Sequence, residues 1–196
     1  MKYVLFFLLF AGPLRAETVL DFTDYHSVEV RNDIVARISV GDFGAVVDGG
    51  DPAQFIPAQF GEWIRFDRNT RWLIWTNGRR DRFDANISMP EVRELKALSG
   101  AKITADLGVQ ERFRAEAENG VITVSVDTPA LRLRGNDGAV ITVTGSCGRL
   151  TMLARPTSVM DLSGLECESI VIFGDKTRVA LPDGANVVDQ HADPDS

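Results

Sequence analysis

The sequence predicts an all-β fold, a single-domain solenoid of short stacked strands, on two observations. From Tyr25 onward the apolar residues alternate with polar ones at a period of 2 rather than 3.6, in short runs rich in Val, Ile and Thr. In the second half, segments beginning near Leu95, Phe113, Leu131, Leu150 and Ile170 recur at spacings of 18, 18, 19 and 20 residues. A unit that short cannot bury an apolar face alone, so it must stack on copies of itself. Composition agrees: 196 residues with 44% hydrophobics suffice for one packed domain, and only two cysteines rule out a dense disulfide framework.

Residues 1–16 read as a signal peptide. Lys2 supplies a basic start, Val4 to Leu9 an unbroken apolar run, and Ala16 a small residue before a cut at Glu17. The run is too short for a bilayer, which needs about 20 residues, and no cysteine follows closely enough for lipid attachment. Export to the periplasm or beyond is expected, with no integral membrane segment after cleavage. Removal of the leader takes two of the 21 basic residues and none of the 28 acidic ones, moving the formal net charge from −7 to −9. That charge gives no general attraction to nucleic acid or anionic lipid.

The strands follow in order: Val28–Val30, Val35–Val40, Trp63–Phe66, Trp72–Trp75, Ala85–Met89, Val121–Val126 and Val140–Val143. Asn32-Asp33, Gly49-Gly50-Asp51, Asn77-Gly78, Ser99-Gly100, Asn119-Gly120 and Asn136-Asp137-Gly138 mark the turns. Pro90 to Lys96 is the one helix-tolerant stretch, with Gln110 to Ala117 a weaker second. The solenoid domain is expected over residues 17–185, and the polar residues 186–196 read as a disordered tail.

Aligning the second strand of each repeat places Ala101–Ala105, Val121–Val124, Val140–Val143, Val159–Leu162 and Arg178–Leu181 together. Strands stacked about 4.8 Å apart then set Cys147 and Cys167 on neighbouring coils, within the Cα range of about 4.4–6.8 Å that a disulfide spans. An exported chain permits that bond, which would contribute about 3 kcal/mol. Two reduced thiols stacked in a ladder are compatible with the same sequence.

The segments Val28-Glu29-Val30, Val35 to Val40, Phe83 to Pro90 and above all Val92-Arg93-Glu94-Leu95-Lys96-Ala97-Leu98-Ser99-Gly100-Ala101 resemble the bacterial auto-transporter adhesin head domain, the head GIN or DUF2807 family. The likeness runs over roughly Phe22 to Leu181. It implies an exported right-handed β-helix that serves as an adhesin-type or surface-binding module, with no catalytic residues to carry over. The later turns, Asn119-Gly120-Val121, Asp137-Gly138-Ala139 and Thr157-Ser158-Val159, are degenerate copies of the family's Ser-Gly-Ala turn.

Candidate ligand-binding residues cluster between Trp63 and Arg82. Trp63, Phe66, Trp72 and Trp75 crowd a short window, and exposed aromatics can stack on sugar rings; packing in the core explains them as well. Arg79, Arg80 and Arg82 follow the Asn77-Gly78 turn and could hold an acidic polysaccharide, or simply pair with Asp81 and Asp84. Asp48 and Asp51 lack the donor run of a calcium loop and read as a turn. His26, His191 and the two cysteines make no convincing zinc set.

A carboxylate-and-base enzyme of the polysaccharide-cleaving kind would draw on Asp106, Asp127, Arg132, Arg134 and Asp137. Solvated ion pairs explain the same residues. The family resemblance, with the stacked repeat, implies a non-enzymatic binding module for an envelope or extracellular glycan or protein, with no cofactor. An envelope scaffold assembling through solenoid edges is the alternative, and a polysaccharide-active enzyme is third.

Overall fold

The computed structural model describes residues 17–69 and 82–190. Its strands are β1 (Glu17–Leu20), β2 (Ser27–Arg31), β3 (Val35–Val40), β4 (Gly44–Asp48), β5 (Phe55–Phe60), β6 (Trp63–Arg68), β7 (Asp84–Met89), β8 (Glu94–Leu98), β9 (Lys102–Val109), β10 (Phe113–Glu118), β11 (Val121–Gly135), β12 (Val140–Ala154), β13 (Val159–Gly174), β14 (Val179–Ala180) and β15 (Val187–Gln190). One 3₁₀ turn, Pro52–Gln54, is the sole helical element among the described residues.

These strands stack in parallel into a solenoid of about five turns with two faces. The first face runs β7, β3, β9, then the leading halves of β11, β12 and β13, and β14. The second runs β6, β2, β8, β10, then the trailing halves of β11, β12 and β13, and β15. Apolar side chains pointing inward from both faces fill the space between them. Ile103, Ile122, Ile141 and Met160 stack on one side of that core, and Phe113, Leu131, Leu150 and Ile170 on the other, all nearly or fully buried.

The repeat alignment of the first face matches the observed register: Ile103, Ile122, Ile141, Met160 and Val179 are successive partners. On the second face Phe113, Leu131, Leu150 and Ile170 also stack directly. Leu95, however, faces Ala115 rather than Phe113, so the first repeat is two residues longer than its apolar start suggests.

From β11 on, each coil is one long strand that turns a corner between faces. The alternation breaks at Pro129 and Ala130, two consecutive exposed residues, which restarts the inward phase at Leu131. At the same corner of the next coil Gly145 has φ +113°, and a Cβ there would lie 2.3 Å from the Val126 carbonyl oxygen. Only glycine fits. The opposite corner stacks left-handed turns at Asn32, Ser99 and Asn119, joined by amide donation from Ser99 to the Glu118 carbonyl (3.0 Å) and from Asn119 to the Asp137 carbonyl (2.6 Å).

Two expectations need correction. The helix-tolerant stretches are strands: Leu95 and Ala97 in β8, and Phe113, Ala115 and Ala117 in β10, all point into the core. Parallel pairing on both sides outweighs the helix propensity of Glu, Leu, Lys and Ala there. The tail does not start at residue 186, because Val187–Gln190 pairs with Ile170–Phe173 as β15. The first half, expected within the solenoid, enters it in permuted order: β2 lies between β6 and β8, and β3 between β7 and β9.

The β6–β7 end is closed. Antiparallel β4 and β1 extend the first face beyond β7, and antiparallel β5 extends the second beyond β6. Phe55 from β5 stacks on Phe66 (5.6 Å) and reaches Phe83 (5.4 Å), covering the last coil. At the other end β14 and β15 remain parallel edges. Cys147 and Cys167 are direct register partners on β12 and β13, with Cα atoms 4.5 Å apart, and form a disulfide.

Candidate ligand-binding surface

Because side chains on a strand alternate, every second residue of the second face points outward, and parallel register lines these residues up in rows across the coils. One row runs Trp63, Ser27, Glu94, Arg114, Arg132, Thr151, Val171. The neighbouring row, two residues along each strand, runs Arg65, Glu29, Lys96, Glu116, Arg134, Leu153, Phe173. The two rows hold five cations and three carboxylates, a local reversal of the chain's acidic balance.

Each carboxylate in these rows is shared between cations. Glu29 pairs with Arg31 and with Arg65 (2.7 Å). Glu94 lies 3.4 Å from the Lys96 Nζ and 3.3 Å from the Arg114 Nε, while Glu116 meets Lys96 (3.5 Å), Arg114 (3.2 Å) and Arg134 (3.9 Å). Such half-exposed pairs contribute little stability each, about 0–1 kcal/mol, yet they fix where the cations stand.

Arg132 differs. It is exposed and has no hydrogen-bond or ion-pair partner among the described residues, although it sits beside Arg114 in register and two residues from Arg134. The three arginines, with Thr151 and Leu153, line a shallow groove of about 150 Å³. Arg114 and Arg134 are already held by Glu94 and Glu116, so Arg132 is the guanidinium of the groove with no carboxylate partner among the described residues, and it can hold an anion through charge-assisted hydrogen bonds.

At the closed end of the same face Trp63 and Phe60 are register partners on β6 and β5, and with Glu29, Arg65 and Lys96 they line a second hollow of about 250 Å³. Phe60 is 57% exposed. The Lys96 ammonium sits 4.8 Å over the Trp63 ring and the Arg65 guanidinium 5.2 Å over Phe60. Aromatic faces carrying cations suit a ring-shaped ligand that bears negative charge.

Of the residues singled out from sequence, Trp72, Trp75, Arg79 and Arg80 lie outside the described residues. Arg82 donates to Asp84 at 3.0 Å from an exposed side chain, the plain pairing that the sequence allowed. Phe66 is core and Trp63 is not. Asp51 accepts from the Ala53 amide in an ordinary turn.

The five residues considered for catalysis are dispersed. Asp106 is on the first face, Asp127 takes the Ser146 hydroxyl (2.7 Å) at a corner, Asp137 takes the Thr157 hydroxyl (3.2 Å) at a turn, and only Arg132 and Arg134 share the groove. Sequence reasoning treated Trp63 as one of a crowd and passed over Arg114, whose 18-residue distance from Arg132 is the repeat length and was the available signal.

No family model and no curated protein matches the chain. Among solved structures it is similar to a putative adhesin from Bacteroides fragilis, at a TM-score of 0.66 and 8% identity over 91% of this chain and 96% of that one. It is also similar to a putative lipid binding protein from Parabacteroides distasonis, at a TM-score of 0.58 and 8% identity over 82% of this chain and 78% of that one. At that identity the likeness is one of fold: the chain shares the stacked-strand solenoid of these two proteins.

Proposed function

We propose that this chain is an exported, non-enzymatic binding module of adhesin-head type that takes an acidic ligand, a glycan or the acidic surface of an envelope protein, on the outer surface of its second face. The observation that carries this reading is Arg132, exposed and without a partner among the described residues, beside Arg114 and Arg134 in a chain of net acidic charge. The names of the two fold neighbours, an adhesin and a lipid-binding protein, agree with a binding role. The head GIN resemblance points the same way. The leader-like residues 1–16 and the Cys147–Cys167 bond suit the periplasm or the extracellular space.

The test is a binding screen of residues 17–196 against acidic and neutral polysaccharides and envelope extracts, with Arg132→Ala alongside. Acidic ligands should bind, weaken with added salt and lose about tenfold in affinity in the variant. Equal binding by wild type and variant would place the ligand elsewhere. Specific capture of an envelope protein through β14 and β15, independent of Arg132, would favour the scaffold reading, since only that end of the solenoid ends in parallel edges.

A further inference from the structure

The two hollows of the second face share one row. From Trp63 the register passes through Ser27, Glu94 and Arg114 to Arg132, four strand steps along the solenoid axis. At about 4.8 Å per step the aromatic hollow and the arginine groove lie about 19 Å apart, the reach of roughly four pyranose rings. The strip between them carries Glu29, Glu94 and Glu116, each already held by cations of the same rows. Ser27 is small and buried, and Glu94 is held by Lys96 and Arg114.

The geometry points to a linear uronic-acid polysaccharide lying along the solenoid axis across the second face, one sugar stacked at Trp63 and Phe60 and a carboxylate about four sugars away seated among Arg114, Arg132 and Arg134. This deepens the proposed binding role and rests on it. Lys96 and Arg65 complete the aromatic subsite: each cation already lies over a ring, where it can meet the carboxylate of a stacked uronate. Two weak subsites joined by one chain bind far more tightly than either alone, because the second contact becomes intramolecular. A ligand too short to reach both subsites gains nothing from this, so affinity should depend on chain length with a threshold.

The experiment is calorimetry with oligogalacturonates of one, two, four, six and eight residues, on wild type, Trp63→Ala, Phe60→Ala and Arg132→Ala. Melting curves confirm that each variant is folded; Phe60, exposed on the outer strand β5, provides the aromatic probe should Trp63→Ala fail to fold. Affinity should rise at least tenfold between two and six residues and then flatten. Loss of either subsite should weaken the hexamer about tenfold, and loss of the aromatic one should leave the dimer nearly unchanged. A dimer that binds as tightly as the hexamer, or a hexamer indifferent to both aromatic substitutions, overturns the axial arrangement while leaving an acidic ligand at Arg132 intact. Absence of Arg132-dependent binding for every oligomer, together with none in the acidic-ligand screen, overturns the functional reading itself.

Discussion

Arg114 and Arg132 are direct partners on neighbouring parallel strands, like charges facing each other across β10 and β11. Such a pair works against the sheet that holds it. Glu94 and Glu116 relieve Arg114 but nothing among the described residues relieves Arg132. Replacing Arg132 by Thr, a good strand former that matches Thr151 in the next coil, should therefore stabilise the fold by ~0.3 kcal/mol while weakening acidic-ligand binding. Denaturant melts beside binding isotherms check both signs; a loss of stability would mean that Arg132 has a structural role.

The disulfide closes a 20-residue separation between coils that are already in register. Reduction, or the double substitution Cys147→Ser with Cys167→Ser, should lower stability by about 3 kcal/mol without altering the strand signal in circular dichroism. Urea midpoints with and without reductant measure this.

Leu95 and Lys96 are adjacent on β8 but point to opposite sides. Leu95→Ala should cost about 2–5 kcal/mol because it opens a cavity in a fully buried ladder. Lys96→Ala, on the half-exposed outer row, should cost well under about 1 kcal/mol.

Tyr25 is fully buried and its hydroxyl donates to the Ser88 carbonyl (2.7 Å), with the Gly44 carbonyl (3.1 Å) a second acceptor for the same proton, tying the approach to β2 to β7 and β4. Burial raises its pKa above the usual 10.0, because the phenolate would lose its hydration there. The neutral phenol is thus the form the fold favours. Its contribution is complete below the unfolded-state value near 10 and declines as pH rises through the higher folded value. Wild type should lose stability above pH 10 more steeply than Tyr25→Phe, as thermal melts between pH 8 and 11 would reveal.

Local patterns were legible in the residues alone: strands from the period-2 runs, turns from Asn and Gly, and a stacked repeat from its spacing near 19. That spacing also placed the two cysteines one coil apart. These are properties of residues near one another in the chain, so they survive without knowledge of the fold. Tertiary structure decided the rest. β2 stacks between β6 and β8 because Val28 can bury itself equally well against Ile64 and Leu95, a choice that no local pattern encodes. Antiparallel β1, β4 and β5 close one end for a similar reason: an exposed coil must be covered by whichever apolar strands can reach it. The candidate site arises in the same way. Trp63, Arg114 and Arg132 are ordinary half-buried or exposed residues spread over 70 positions of sequence, and only the register of stacked parallel strands puts them in one row.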